Sequence, residues 1–157
     1  MSGAPRYRGP RDHLLSIFHS ALAAVHGASR VEAFLRAHPL TGPVYIIALG
    51  KAACPMARAA GEVLGAAVGD AWVVTKHGHA EVLPWPVLEA GHPLPDIGSI
   101  EAGSGLLDYI GHLPREASVL VLLSGGASTL VETFVCVVRG GRALTRGNAG
   151  VLMLHPC

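Results

Sequence analysis

Ser118-Val119-Leu120-Val121-Leu122-Leu123-Ser124-Gly125-Gly126-Ala127-Ser128 decides the fold class of this chain. After Ser118, the five residues Val119–Leu123 are all β-branched or aliphatic and run without a polar break, as in a strand of a parallel sheet. Two glycines flanked by hydroxyls then close the strand, and a helical segment is predicted to follow. The same grammar recurs upstream. Val44–Leu49 is a short apolar run ending at Gly50-Lys51, and Pro55 stands where a first helical turn tolerates proline. Met56, Ala59, Ala60, Val63 and Leu64 mark one face of that helix. Ala71–Thr75 reads as a strand before Lys76-His77-Gly78-His79. Val87–Ala90 reads as another before Gly91-His92-Pro93. Asp96 is placed to cap a helix whose expected buried face is Ile100, Gly103, Leu106, Leu107 and Ile110. Two helices are expected ahead of all this. One runs over 11–26, and a shorter one begins near Ser29 with Val31, Phe34 and Leu35 inward. Strands alternating with helices predict an α/β fold, Rossmann-like and doubly wound, with a mostly parallel sheet.

Composition agrees with a single folded domain. Half of the 157 residues are hydrophobic and 15% are charged, which excludes a disordered polar chain. The formal net charge of +1 implies neither a nucleic-acid nor a membrane partner. No apolar run approaches the roughly 18 residues of a membrane span. The polar stretch Met1–Arg11 lacks the apolar middle of a signal peptide. Cys54, Cys136 and Cys157 are odd in number and form no CxxC, so neither a zinc site nor a disulfide framework is expected, and a cytoplasmic setting fits. Composition shifts after Glu132. No acidic residue follows, whereas Arg139, Arg142 and Arg146 and several glycines do. The domain is therefore expected to occupy 1–132, with 133–157 a divergent and poorly ordered tail.

Every predicted strand ends in polar or glycine-rich residues, and in a parallel sheet those ends share one edge, where ligands of open α/β sheets bind. Ser124–Ser128 reads as an anion cradle in which Gly125 and Gly126 admit close approach of backbone N–H groups. The competing reading is a tight turn with a Ser cap. It is not a nucleophile elbow, because Leu122 replaces the first glycine of G-x-S-x-G. Lys51 stands where a helix begins, and a cation there opposes the helix dipole by roughly 0.3–1 kcal/mol, which invites a functional explanation beside that of a solvated lysine. Gly50-Lys51 is neither a P-loop nor a dinucleotide fingerprint, since Tyr45, Ala52 and Pro55 occupy required positions. His77, His79 and His92 lack companions at metal spacing and read as loop histidines or hydrogen-bonding groups.

Taken together and in order, Ala48–Ala53, Val74–His79, Glu89–Asp96 and Leu122–Ser128 resemble the type II glycerate 2-kinases, a family also labelled hydroxypyruvate reductase. The resemblance runs from about Arg11 to Glu132. It implies transfer of phosphate from ATP, with Mg2+, to a hydroxyl of D-glycerate, usually the 2-hydroxyl. It implies a catalytic role for Lys51, and substrate or phosphate binding by Gly50, Lys76, His92, Ser124, Gly125, Gly126 and Ser128. It further implies a second domain that supplies an arginine. Nothing in these residues corresponds to that domain, so the chain is expected to be a truncated member, inactive by itself. Two alternatives stand beside the kinase. One is an oxidoreductase acting on hydroxypyruvate, disfavoured by the missing G-x-G-x-x-G and by Thr75-Lys76 where an acidic residue would end the second strand. The other is a non-catalytic anion- or nucleotide-binding module. The sequence names no general base and assigns no oligomeric state.

Overall fold

The computed structural model describes residues 9–133, and the backbone of 136–139 and 142–145. Four parallel strands form one sheet: β1 (Val44–Leu49), β2 (Val68–Lys76), β3 (Val87–Ala90) and β4 (Ser118–Leu123), in the order β3-β2-β1-β4. β1 pairs with β4 in unbroken register from Val44↔Ser118 to Leu49↔Leu123. Helices α1 (Pro10–Ala24) and α2 (Gly27–Ala37) precede the sheet, α3 (Ala53–Leu64) joins β1 to β2, and α4 (Ile97–His112) joins β3 to β4. A single turn, α5 (Ala127–Leu130), follows β4.

Two apolar layers sandwich the sheet. On one face Ile46, Ala48, Ala71, Val73 and Leu122 meet Ala53, Met56, Ala57 and Ala60 of α3 and Leu35 of α2. On the other, Ile47, Leu49, Val74 and Ala90 meet Ala102 of α4 and Leu130 of α5. The alternation along β1, with Ile46 and Ile47 going to opposite layers, is the two-residue strand period seen from both sides. Cover on both faces explains why the central strand β1 is apolar throughout. Small residues let the α2 and α3 helices close up. A Cβ on Gly27 would lie 2.8 Å from the Met56 side chain.

Several expected faces are corrected. α4 packs over β3 and β2 rather than over β4, so it buries Ser99, Ala102 and Gly103, with Leu106 packed alongside. Leu107 and Ile110 are left exposed, together with Val119, Val121 and Leu123 of β4. Phe34 is exposed, and of the three α2 residues expected inward only Leu35 is fully buried. α1 buries none of its side chains. The helical segment expected to start within Ser124–Ser128 is the single turn of α5. In the segment after Glu132, the backbone of β5 (Cys136–Arg139) and β6 (Arg142–Thr145) pairs antiparallel as a separate two-stranded sheet. The rest of that expected tail lies outside the described residues. Among the described residues no helix is long and apolar enough to cross a membrane.

Candidate anion site at the sheet switch point

The chain winds outward from β1 to β2 and β3, then returns to place β4 on the other side of β1. The carboxyl ends of β1 and β4 thus flank the switch point, where the two crossovers diverge and a crevice opens. The turns after these two strands are interlocked. Ser124 N–H donates to the Leu49 carbonyl (2.9 Å), and Lys51 N–H to the Gly125 carbonyl (3.0 Å). Ser124 Oγ accepts from Ala52 N–H (3.0 Å). Gly50 N–H donates to Val74 of β2 (3.1 Å), tying a third strand end into the same edge. Gly50 has φ +118, and a Cβ there would come within 2.5 Å of the Ser124 carbonyl oxygen. Glycine is required on both counts, backbone angle and space.

This clamp assigns the expected residues different work. The Ser124 hydroxyl is already engaged between the two turns, accepting from Ala52 and lying 3.4 Å from the Leu49 carbonyl. Its part is to hold the β1 and β4 turns together. Gly125 is exposed, with nothing near its Cβ position. Gly126 takes φ +93, and a Cβ built on it would touch Lys51 Cε (3.1 Å) and His92 Cε1 (3.2 Å). Lys51 from the β1 turn, Gly126 from the β4 turn and His92 from the β3 turn therefore converge. Ser128 is exposed on α5, two residues after Gly126. With four residues, α5 contributes little dipole, so the positive character of the cradle comes from Lys51 and Lys76 rather than from a helix end.

His92 is half-buried. Burial, then the neighbouring charges of Lys51 and Lys76, hold its imidazole below the usual histidine range, which favours the neutral ring at pH 7. Its Nδ1 lies 2.7 Å from Thr129 Oγ1, a partner with no signal in the sequence beyond its place three residues after Gly126.

The neighbouring loops are set by two carboxylates. Glu89 Oε1 accepts from the N–H groups of Gly78 (2.6 Å), His79 (3.2 Å) and Ala80 (3.3 Å). Burial works to raise the Glu89 pKa, but those three donors outweigh it and hold the carboxylate ionised below its ordinary range. The N–H groups of Gly78, His79 and Ala80 are thus already occupied, which leaves side chains of that loop, Lys76 among them, to meet a ligand. Asp96 caps α4 in a reciprocal box with Ser99, accepts from Gly91 N–H (2.9 Å) and pairs with His77 Nε2 (2.6 Å). His77, then Gly91, drive its pKa well below the ordinary carboxylate value. The stability this contributes is present above that ordinary value and is lost as pH falls through the folded pKa. Asp96→Ala is expected to lower the thermal midpoint at pH 7. The difference from wild type should shrink as the pH is taken well below 4, and melts across that range check it.

Among the described residues no cluster of His, Cys, Asp and Glu could hold a metal ion. The edge fits an anion. A concavity of about 590 Å³, lined by Asp12, Ser16 and His19, runs along α1. It meets none of the strand-end residues, and its openness to solvent makes it a surface trough rather than a site.

The fold is that of an α/β domain with a parallel sheet, and its candidate site lies at the topological switch point. Residues 13–139 match the sequence family described as "Domain of unknown function (DUF4147)", and the chain belongs to that family. It is 45% identical over 91 residues to D-glycerate 2-kinase of Thermotoga maritima, covering 57% of this chain and 22% of that protein. It is 45% identical over 94 residues to glycerate 2-kinase of Pyrococcus horikoshii, covering 59% of this chain and 21% of the relative. The crystal structure of glycerate kinase from Thermotoga maritima superposes with a TM-score of 0.72 at 38% identity, over 78% of this chain and 30% of that one. The chain thus spans about a fifth of the length of these curated relatives.

Proposed function

We propose that this domain forms the phosphate-facing wall of a D-glycerate 2-kinase, moving phosphate from ATP to the 2-hydroxyl of D-glycerate. One observation carries the reading: Lys51 and His92 converge on Gly126 at the switch point of a sheet similar to that of a glycerate kinase. Phosphoryl transfer asks a protein mainly for positioning and for neutralisation of charge on the transferred group. Lys51 supplies the cation at the edge, with Lys76 reinforcing it from β2. The open backbone at Gly125 and Gly126 admits phosphate or carboxylate oxygens. Gly50 and Ser124 hold the β1 and β4 turns in the spacing this needs, and Ser128 lies within the same cradle. Magnesium, which the kinase reading requires, finds no donor cluster among the described residues, and no step here is assigned to it.

Donor and acceptor must be held in line, and orientation alone can supply about 7–11 kcal/mol. The described residues form one wall. The 157-residue polypeptide is therefore expected to bind ATP and D-glycerate and to form 2-phosphoglycerate at less than about 1 turnover per second, the low end of ordinary enzymes. Calorimetric titration with each ligand, with product analysis, tests this. The same titration with NADH and hydroxypyruvate separates the oxidoreductase reading. Heat and product with those two alone would replace the kinase assignment.

Gly126→Val separates binding from folding. The branched side chain must adopt a positive φ and push into Lys51 and His92, so a stability loss of about 1–3 kcal/mol is expected. At a temperature where the variant is folded, ATP affinity is expected to fall by at least about tenfold, or about 1.4 kcal/mol. Unchanged affinity in a folded variant would make the β4 turn merely structural.

A further inference from the structure

We propose that Thr129 holds His92 in the tautomer protonated at Nδ1, so that Nε2 accepts the proton of the substrate hydroxyl. The proposal rests on the phosphotransferase reading above and names the group that removes the proton. The argument is one of hydrogen-bond supply. Thr129 Oγ1 lies 2.7 Å from His92 Nδ1 and 3.1 Å from the Gly126 carbonyl oxygen. A hydroxyl has one proton, and a carbonyl can only accept. Both contacts are satisfied together only when Thr129 donates to Gly126 and His92 Nδ1–H donates to Thr129. The neutral ring then carries its lone pair on Nε2, which has no hydrogen-bond partner among the described residues. The ring edge nearest Gly126 is Cε1 and Nδ1, 3.2 and 3.3 Å from a Cβ built there, so Nε2, bonded to the same Cε1, lies beside the cradle rather than on the edge turned to Gly126.

The charged groups facing the ring agree with a neutral acceptor. Lys51 comes from the β1 turn and Lys76 from the end of β2, and α5 offers only the Thr129 hydroxyl. On His92's own loop, Asp96 is committed to His77, Gly91 and Ser99. In the reaction the hydroxyl oxygen forms a bond to the γ-phosphorus of a nucleoside triphosphate. The bond from that phosphorus to the bridging oxygen breaks, and the nucleoside diphosphate leaves with the electron pair. The hydroxyl proton passes to His92 Nε2 and then to solvent. A weakly basic imidazole is adequate, because a loose transition state requires little deprotonation before the oxygen–phosphorus bond forms.

The test uses the whole 157-residue chain, labelled with 15N, and long-range 1H–15N spectra that distinguish the two ring nitrogens. At pH 7.5 His92 is expected to show a protonated Nδ1 and a bare Nε2. Thr129→Val is expected to lose that preference, and Thr129→Ser, which keeps the hydroxyl and guards against a folding defect, to retain it. D-glycerate is expected to shift the Nε2 signal, whereas 3-hydroxypropionate, lacking the 2-hydroxyl, is not. An Nε2–H tautomer, an imidazolium at pH 7.5, or bound D-glycerate with no response at Nε2 would overturn the proposal. An Nδ1–H tautomer that Thr129→Val abolishes, in a chain that binds no D-glycerate, would support the Thr129–His92 arrangement and contradict the glycerate reading instead.

Discussion

Lys51→Ala is expected to weaken ATP binding by about ten- to a hundredfold, the span of one hydrogen bond to a charged group. The same change should leave thermal stability equal or slightly raised. Lys51 stands just ahead of α3, where a cation opposes the helix dipole, and its side chain is exposed apart from the approach to Gly126. Its backbone N–H, which ties it to Gly125, survives the substitution. Binding and stability thus move independently or in opposite directions. Titration calorimetry beside thermal melts reads both. A variant that binds ATP as wild type would remove Lys51 from the site, and one that loses both together would make it a structural residue.

Gly50→Val is expected to do the reverse and strike the fold. The positive φ costs about 1–3 kcal/mol for a residue with a side chain. Intrusion into a packed site costs about 1–3 kcal/mol more. The sum, roughly 2–6 kcal/mol, is a large part of the roughly 5–15 kcal/mol of a whole domain. The Ser124 backbone cannot step aside, because its N–H is bonded to Leu49 and its turn is bonded to Lys51. Urea unfolding monitored through Trp72 and Trp85 reads the loss. A midpoint within error of wild type would mean that the β1 and β4 turns are not the clamp described.

The strands with continuous β-branched and aliphatic runs were legible from sequence. β1, β3 and β4 have the expected bounds, because each is a short apolar run closed by glycine or polar residues at the sheet edge. β2 begins three residues earlier than its apolar run. Gly69 and Asp70 have poor strand propensity, yet pairing with β1 overrides it. A bulge lies at Val44/Tyr45, and the Tyr45 ring sits over Gly69, where a Cβ would come within 3.0 Å of it. The buried face of α4 was legible at Gly103 and Leu106 but not at Leu107 and Ile110, because periodicity gives a stripe but not the neighbour it meets. With α4 set over β3 and β2, its Leu107 and Ile110 edge has no strand beneath. In the site, the cap at Asp96 was readable from its place before a helical period. The residues at the strand ends were readable as a group from the parallel topology. What could not be read was which of their atoms were already spent. The Ser124 hydroxyl in the clamp, the Gly78–Ala80 amides on Glu89 and the Thr129 bond to His92 join residues 72, 9–11 and 37 apart. No local pattern encodes such pairs.

The central claim is that the switch-point edge between β1 and β4 is where the phosphate is held. An amide chemical-shift titration of the 15N-labelled chain with ATP tests it most directly. The largest shifts are expected at Gly50–Ala52, His92 and Gly125–Thr129, saturating together, and much smaller in Lys51→Ala at the ATP concentration that half-saturates wild type. Saturable shifts confined to α1, or none at the strand ends while ATP binds, would contradict the account.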